Sequence, residues 1–197
     1  MKLLLASKSE ARRRMLENAG VAFETAEAEL DEEEAKAGLV EAGFEPRDLA
    51  EMLAEMKARS VAAPADALVL GADQVLERDD GSMLSKPRSR AEALDQLSSL
   101  SGRSHYLHSS AVVIEAGERA WGRTESAVLS VRRLGNAFLE DYLDREYEEV
   151  RWNVGGYRVE GLGVQLFDEI HGSHFAILGL PLLSLLAFLR ERGLLAS

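Results

Sequence analysis

The stretch Lys2-Leu3-Leu4-Leu5-Ala6-Ser7-Lys8-Ser9-Glu10-Ala11-Arg12-Arg13-Arg14-Met15-Leu16 decides the fold class of this chain. Lys2–Ala6 is an apolar run with the length of a buried strand. Ser9 is a helix-capping residue type, and Met15, Leu16 and Ala19 then recur at helical spacing until Gly20 stops the pattern. A strand that turns directly into a helix is the opening unit of an α/β protein. The turn itself holds Ser7, Lys8, Ser9 and Arg12. Hydroxyls, cations and the unpaired N–H groups of a helix start converge there, and all of them favour an anion. The same residues also suit a plain N-cap with a solvated basic face. The glycines of a Walker loop are missing.

Further along, the residues continue to alternate between strand and helix signals. Val21–Thr25 has the length of a second strand, and Asp31–Ala37 is an acidic loop or the start of a helix. Asp48–Ala62 predicts a helix with Leu49, Met52, Leu53 and Met56 on one face. Ala67–Leu70 predicts a buried strand that Gly71 ends, and Asp79-Asp80-Gly81 predicts a hairpin turn. Ser89–Leu100 reads as a helix, Tyr106–Glu115 and Glu125–Arg132 as long strands joined near Gly117, and Ala137–Leu143 as a short helix. Val150–Val159 is irregular, Val164–Phe167 predicts a strand, and Pro181 opens a last helix. The expectation is an α/β protein of one domain over residues 1–197, or two lobes around a cleft.

Composition bounds the function. Of 197 residues, 46% are hydrophobic, enough for a sizeable core, and the formal net charge is −11. A surface that acidic repels nucleic-acid backbones and anionic membranes, although it leaves room for one locally basic nucleotide pocket. There is no cysteine, which excludes disulfides, thiolate metal sites and a cysteine nucleophile. The longest apolar run, Ala176–Leu189, is interrupted by Gly179, Pro181 and Ser184, and the apolar run at the N-terminus is too short for a signal peptide. A cytoplasmic protein without membrane or nucleic-acid partners is expected.

Four clusters carry possible chemistry. The first is the Ser7–Arg12 turn. The second is Gly71-Ala72-Asp73-Gln74, where Asp73 follows a buried strand and could hold a divalent cation or take a proton from water. The third pairs Lys86, beside Pro87, with Lys57 on the preceding helix; either could neutralise a phosphate or simply reach solvent. The fourth is Asp31-Glu32-Glu33-Glu34, where one carboxylate could join Asp73 around a magnesium ion while the others remain solvated. His105, His108, His171 and His174 have no zinc-ligand spacing and read as structural or surface residues.

In order along the chain, these pieces resemble the Maf family of nucleotide pyrophosphatases. Leu4-Leu5-Ala6-Ser7-Lys8-Ser9-Glu10-Ala11-Arg12-Arg13 resembles the family's LASxSPRR opening. Leu49-Ala50 with Lys57-Ala58 resembles LAxxKA, and Gly71-Ala72-Asp73-Gln74-Val75 resembles GxD[TQ]V. Ser85-Lys86-Pro87, Leu100-Ser101-Gly102-Arg103-Ser104-His105, Gly156-Tyr157-Arg158-Val159-Glu160-Gly161-Leu162-Gly163 and Gly179-Leu180-Pro181-Leu182 follow. The resemblance implies a twisted mixed sheet flanked by helices, with two lobes around a cleft, often as a homodimer. It implies hydrolysis of a nucleoside triphosphate between its α and β phosphates, aided by a divalent metal (magnesium, or manganese or cobalt). By motif, Asp73 matches the catalytic aspartate. Glu32, with Asp31 the neighbouring choice, matches a metal-site glutamate that works with Asp73. Ser7, Ser9, Arg12, Lys57 and Lys86 match the phosphate-binding set.

Three positions tune base choice in the family, and here they are Ala11, Gln74 and Glu160. Gln74 and Glu160 resemble the branch that prefers 7-methyl-GTP, whereas the dTTP and UTP branch carries Arg, Thr and Gln. A carboxylate accepts hydrogen bonds from the guanine edge and attracts a cationic methylated ring. Pairing with Arg158 or with solvent is the other use for Glu160. The sequence departs from the family in Glu10 for Pro, Ala11 for Arg and Asn153 for Lys, which leaves fewer cations for phosphate. A broader pyrophosphatase, and a nucleotide-binding regulator of division or septum formation, are the competing functional readings.

Overall fold

A computed structural model describes residues 1–196. Strand β1 (Lys2–Ala6) runs into helix α1 (Glu10–Asn18), then β2 (Glu24–Thr25), α2 (Glu32–Glu41) and α3 (Pro46–Arg59). Next come β3 (Ala67–Arg78), β4 (Met83–Leu84), α4 (Arg90–Leu100), β5 (Ser104–Glu115) and β6 (Glu118–Val131). The chain ends with α5 (Asn136–Val150), β7 (Phe167–His171), α6 (His174–Ile177) and α7 (Leu182–Glu191). All seven strands belong to one sheet, ordered β2-β1-β3-β5-β6-β7, with β4 paired to β3. The sheet is mixed: β1 is parallel to β2 and β3, whereas β4 and β7 are antiparallel to β3 and β6. This is the α/β class the sequence predicts.

The chain divides into two compact units. The first holds Met1–Gln74, His108–Glu125 and the segment from Ser173 onward; the second holds Val75–Leu107 and Ser126–Gly172. In the first unit β1 and the start of β3 bury side chains of both parities, so both of their faces are covered. Leu3, Leu5, Leu68, Leu70 and Ala72 join Met15 and Leu16 of α1 and Leu185, Phe188 and Leu189 of α7 in one cluster. Ala6 and Val69, from the opposite parity, meet Ala54 and Ala58 of α3 in another. In the second unit, α4 packs on α5 and on a 3-10 turn at Val154–Gly156. Among the described residues, no helix is long and apolar enough to cross a membrane.

Several expectations change. Gly71 does not end β3; the strand continues to Arg78. A Cβ at Gly71 would lie 2.0 Å from the main-chain oxygen of Ala54, so the glycine permits a close helix–strand approach and does not break the strand. Of the two readings of the acidic stretch the helix start holds: Asp31 caps α2 by accepting from the Glu33 and Glu34 amides at 3.1 and 3.0 Å. Only Glu24–Thr25 of the predicted second strand pairs. Leu162–Leu166 is a 3-10 turn, and the strand predicted there starts at Phe167. Helix α5 runs to Val150 and β6 begins at Glu118, both longer than their local patterns suggest.

Candidate active site

The register between β1 and β3 positions the site. Lys2 faces Ala67 and Ala6 faces Gly71, after which β1 turns away into α1. Asp73, two residues beyond Gly71, therefore stands just past the end of this parallel ladder, although it is still within β3. The carboxyl ends of parallel strands are where open α/β sheets bind ligands. Ser9 caps α1 as predicted, accepting from the Arg12 amide at 3.4 Å, and Ser7 Oγ accepts from the Ser9 amide at 3.3 Å.

Arg12 is the buried cation of this turn. Its Nε donates to the Gly179 carbonyl at 2.8 Å, and Nη1 donates to the Ala72 carbonyl at 3.0 Å and to Ser7 Oγ at 3.2 Å. Burial pushes the guanidinium below its ordinary pKa, while the negative charges of Asp73 and Glu32 hold it up. Gly179 has φ +101°, and a Cβ there would lie 3.3 Å from Arg12 Nε and Nη2. The Gly-Leu-Pro turn before α7 is thus shaped around this side chain. The sequence suggests a phosphate contact or a solvated basic face for Arg12 and not its role of joining three segments, for which the glycine at position 179 is the available signal.

Lys57 sits between two acids. Its ammonium donates to Asp73 Oδ1 at 2.6 Å and lies 3.0 Å from Glu32 Oε2. Ala54, Lys57 and Ala58 share one face of α3 by helical spacing, and Gly71 and Asp73 share one face of β3 by strand alternation. The structure therefore brings together Glu32, Lys57 and Asp73, whereas Asp31 caps α2 through its Oδ1. Two carboxylate oxygens that touch one cation fit a divalent ion of the hard-oxygen type. Among the described residues no group of three or more His, Asp or Glu side chains that could hold a metal ion forms.

Gln74, next along β3, points to the opposite face. Its amide nitrogen donates to Ser109 Oγ at 2.8 Å and to the Ala176 and Ile177 carbonyls at 3.1 and 2.9 Å. Ala11 is partly buried in the first turn of α1. Lys86 and Glu160 belong to the second unit, and both are exposed. Arg158 is engaged by Glu146 and Glu149, each at 3.1 Å. Asn153 donates to the Tyr157 carbonyl at 3.2 Å and serves the loop itself. In the same unit His105 is wholly buried, its Nε2 lies 2.6 Å from the Tyr157 hydroxyl, and burial lowers its pKa to about 4.

The chain matches the family described as Maf-like protein over residues 2–192. It belongs to that family. A Sphingopyxis alaskensis relative named nucleoside triphosphate pyrophosphatase is 46% identical, over 98% of each chain. A Caulobacter vibrioides relative of the same name is 49% identical over 97% of this chain and 96% of its own. A Jannaschia relative, nucleoside triphosphate pyrophosphatase 1, is 43% identical over 99% of this chain and 98% of its own. Among solved structures, a nucleoside-triphosphatase described as a dITP/XTP pyrophosphatase from Mycobacterium abscessus aligns over 98% of this chain and 96% of that one. Its identity is 18% and its TM-score 0.41, too distant to inform the Maf-like site.

Proposed function

We propose that this Maf-like protein hydrolyses nucleoside triphosphates between the α and β phosphates, releasing a monophosphate and pyrophosphate. The observation that carries the reading is the Glu32–Lys57–Asp73 cluster, set beside the Ser7–Arg12 turn where β1 ends. The full-length relatives that bear the pyrophosphatase name support it.

Attack on a polyanion requires neutralisation of its charge before water can approach. Arg12 and the helix start of α1 supply fixed positive potential, and Lys57 supplies a mobile one. Asp73 has 14% of its side chain exposed, which leaves it reachable by water yet largely withdrawn from bulk solvent. It accepts the proton of the attacking water as the new oxygen–phosphorus bond forms at the α phosphate and the bridging bond to the β phosphate breaks. Pyrophosphate leaves with the bridging oxygen. Glu32 and Asp73 would hold a divalent cation, which supplies further charge neutralisation and a lowered pKa for bound water.

The finer reading is a modified guanine nucleotide such as 7-methyl-GTP. Glu160 supports it as an exposed carboxylate, while Arg158 is engaged by Glu146 and Glu149. Gln74 and Glu160 are also the residues on which the sequence resembles the 7-methyl-GTP branch. A panel of 7-methyl-GTP, GTP, UTP, dTTP and ITP with magnesium, scored for pyrophosphate, tests both levels. Fastest turnover of 7-methyl-GTP is expected. Faster UTP and dTTP turnover rejects the guanine reading, and nucleotide binding without pyrophosphate release in any case rejects the enzyme in favour of a regulator.

A further inference from the structure

The Lys57 side chain is more buried than that of either acid it touches. Its side chain is 6% exposed, against 14% for Asp73 and 54% for Glu32. A lysine in ordinary surroundings extends its head to water. This one is turned inward, to the place where a single cation serves both carboxylates. An ammonium is a compact point charge with three donors, so it can satisfy two acids at once.

A divalent ion held by the same two carboxylates would need the space that the ammonium fills. The two cations could not share it, because their repulsion at contact is large. We infer that Lys57 is a built-in counter-cation that occupies the divalent position in the nucleotide-free protein, so that the metal enters by displacing it. The inference rests on the reading that Glu32 and Asp73 take the metal. The four-carbon stem allows the ammonium to swing away while α3 stays packed on β3. Triphosphate oxygens give it new acceptors when it leaves. Metal and nucleotide then bind with positive coupling, and by linkage each strengthens the other equally. Bare metal binds poorly because it must evict Lys57 with nothing to receive it.

Direct Mn2+ binding, read from the EPR signal of the free ion, tests this without turnover. The proteins are wild type, Lys57→Gln, Lys57→Arg, Asp73→Asn and Glu32→Gln, each checked for folding by circular dichroism, with Lys57→Met in place of Lys57→Gln if that variant fails to fold. Lys57→Gln is expected to bind Mn2+ about tenfold more tightly than wild type without nucleotide, and Lys57→Arg no more tightly. The α,β-methylene analogue of GTP should tighten Mn2+ binding by several-fold in wild type and by less in Lys57→Gln. Unchanged or weaker Mn2+ binding in Lys57→Gln, while Asp73→Asn weakens it, overturns the counter-cation alone. Asp73→Asn and Glu32→Gln both binding like wild type overturns the metal assignment, and the counter-cation with it.

Discussion

Gly71 lies so close beneath α3 that a Cβ on it would stand 2.0 Å from the main-chain oxygen of Ala54 and 2.8 Å from the amide nitrogen of Ala58. Those atoms bracket Lys57 along the helix, and Asp73 follows two residues later on the same face of β3. The missing side chain at position 71 is what lets Lys57 and Asp73 meet at 2.6 Å.

Gly71→Ala should therefore damage both stability and catalysis. The added methyl meets backbone, which cannot rotate away, so the helix must lift. A loss of about 3 kcal/mol or more is expected, at the upper end of overpacking costs. Urea denaturation measures it, and a change within about 0.5 kcal/mol would show that α3 is not seated as described.

Asp73→Asn removes the base while leaving Lys57 in contact with Glu32. Pyrophosphate release should fall by about 10²- to 10⁴-fold, the range for loss of a positioned base. The fold should survive, because the substitution keeps shape and removes one charge from a cluster that retains another acid. Full turnover by a folded Asp73→Asn protein contradicts the assignment.

Arg12→Lys preserves charge but not the planar fork that reaches Ser7, Ala72 and Gly179 together. At least one carbonyl is left without a donor in a buried position. About 1–3 kcal/mol of stability should be lost, along with activity. Thermal and denaturant unfolding would show whether Arg12 matters to the fold; if only nucleotide affinity drops, its joining role is wrong.

His105 predicts a pH dependence of stability. Its native pKa, lowered to about 4 by burial, lies below the ordinary histidine value of about 6.5. Between those values the unfolded chain binds a proton that the native protein refuses, so stability falls as pH drops through that window and is fully present above it. The loss is on the order of 3 kcal/mol at most. Unfolding free energies from pH 7 to 4.5 should slope downward in wild type, and the slope should flatten in His105→Asn. Equal slopes would assign the acid sensitivity to other groups.

Glu160→Gln should reduce any preference for 7-methyl-GTP over UTP by about 10-fold or more, since it removes the charge that would attract a cationic base. Ratios of kcat/KM for the two nucleotides measure it directly. An unchanged ratio sets Glu160 aside as a solvated surface residue.

Much of this protein is legible without coordinates. The run Lys2–Ala6 with Ser9 and the helical spacing of Met15 and Leu16 specifies β1, its turn and α1, because period and capping are local properties. The ordered motifs point to Asp73, Lys57 and Arg12 for the same reason, since each sits in a short recognisable word, whereas Glu32 lies only in an acidic run. What tertiary structure decided is how those words meet. Gly71 looks like a strand terminator in sequence, since glycine is a local breaker, and only the helix lying across it reveals that it is a contact point. Asp31 and Glu32 are equivalent as letters; one caps α2 and Lys57 engages the other. Gln74 follows Asp73 in sequence but faces away from it, because a strand turns successive side chains to opposite sides. The chain alone determines which residue types are present and which local elements they favour. Through-space pairing depends on register and on how close helix and sheet pack, and neither is written in any single stretch.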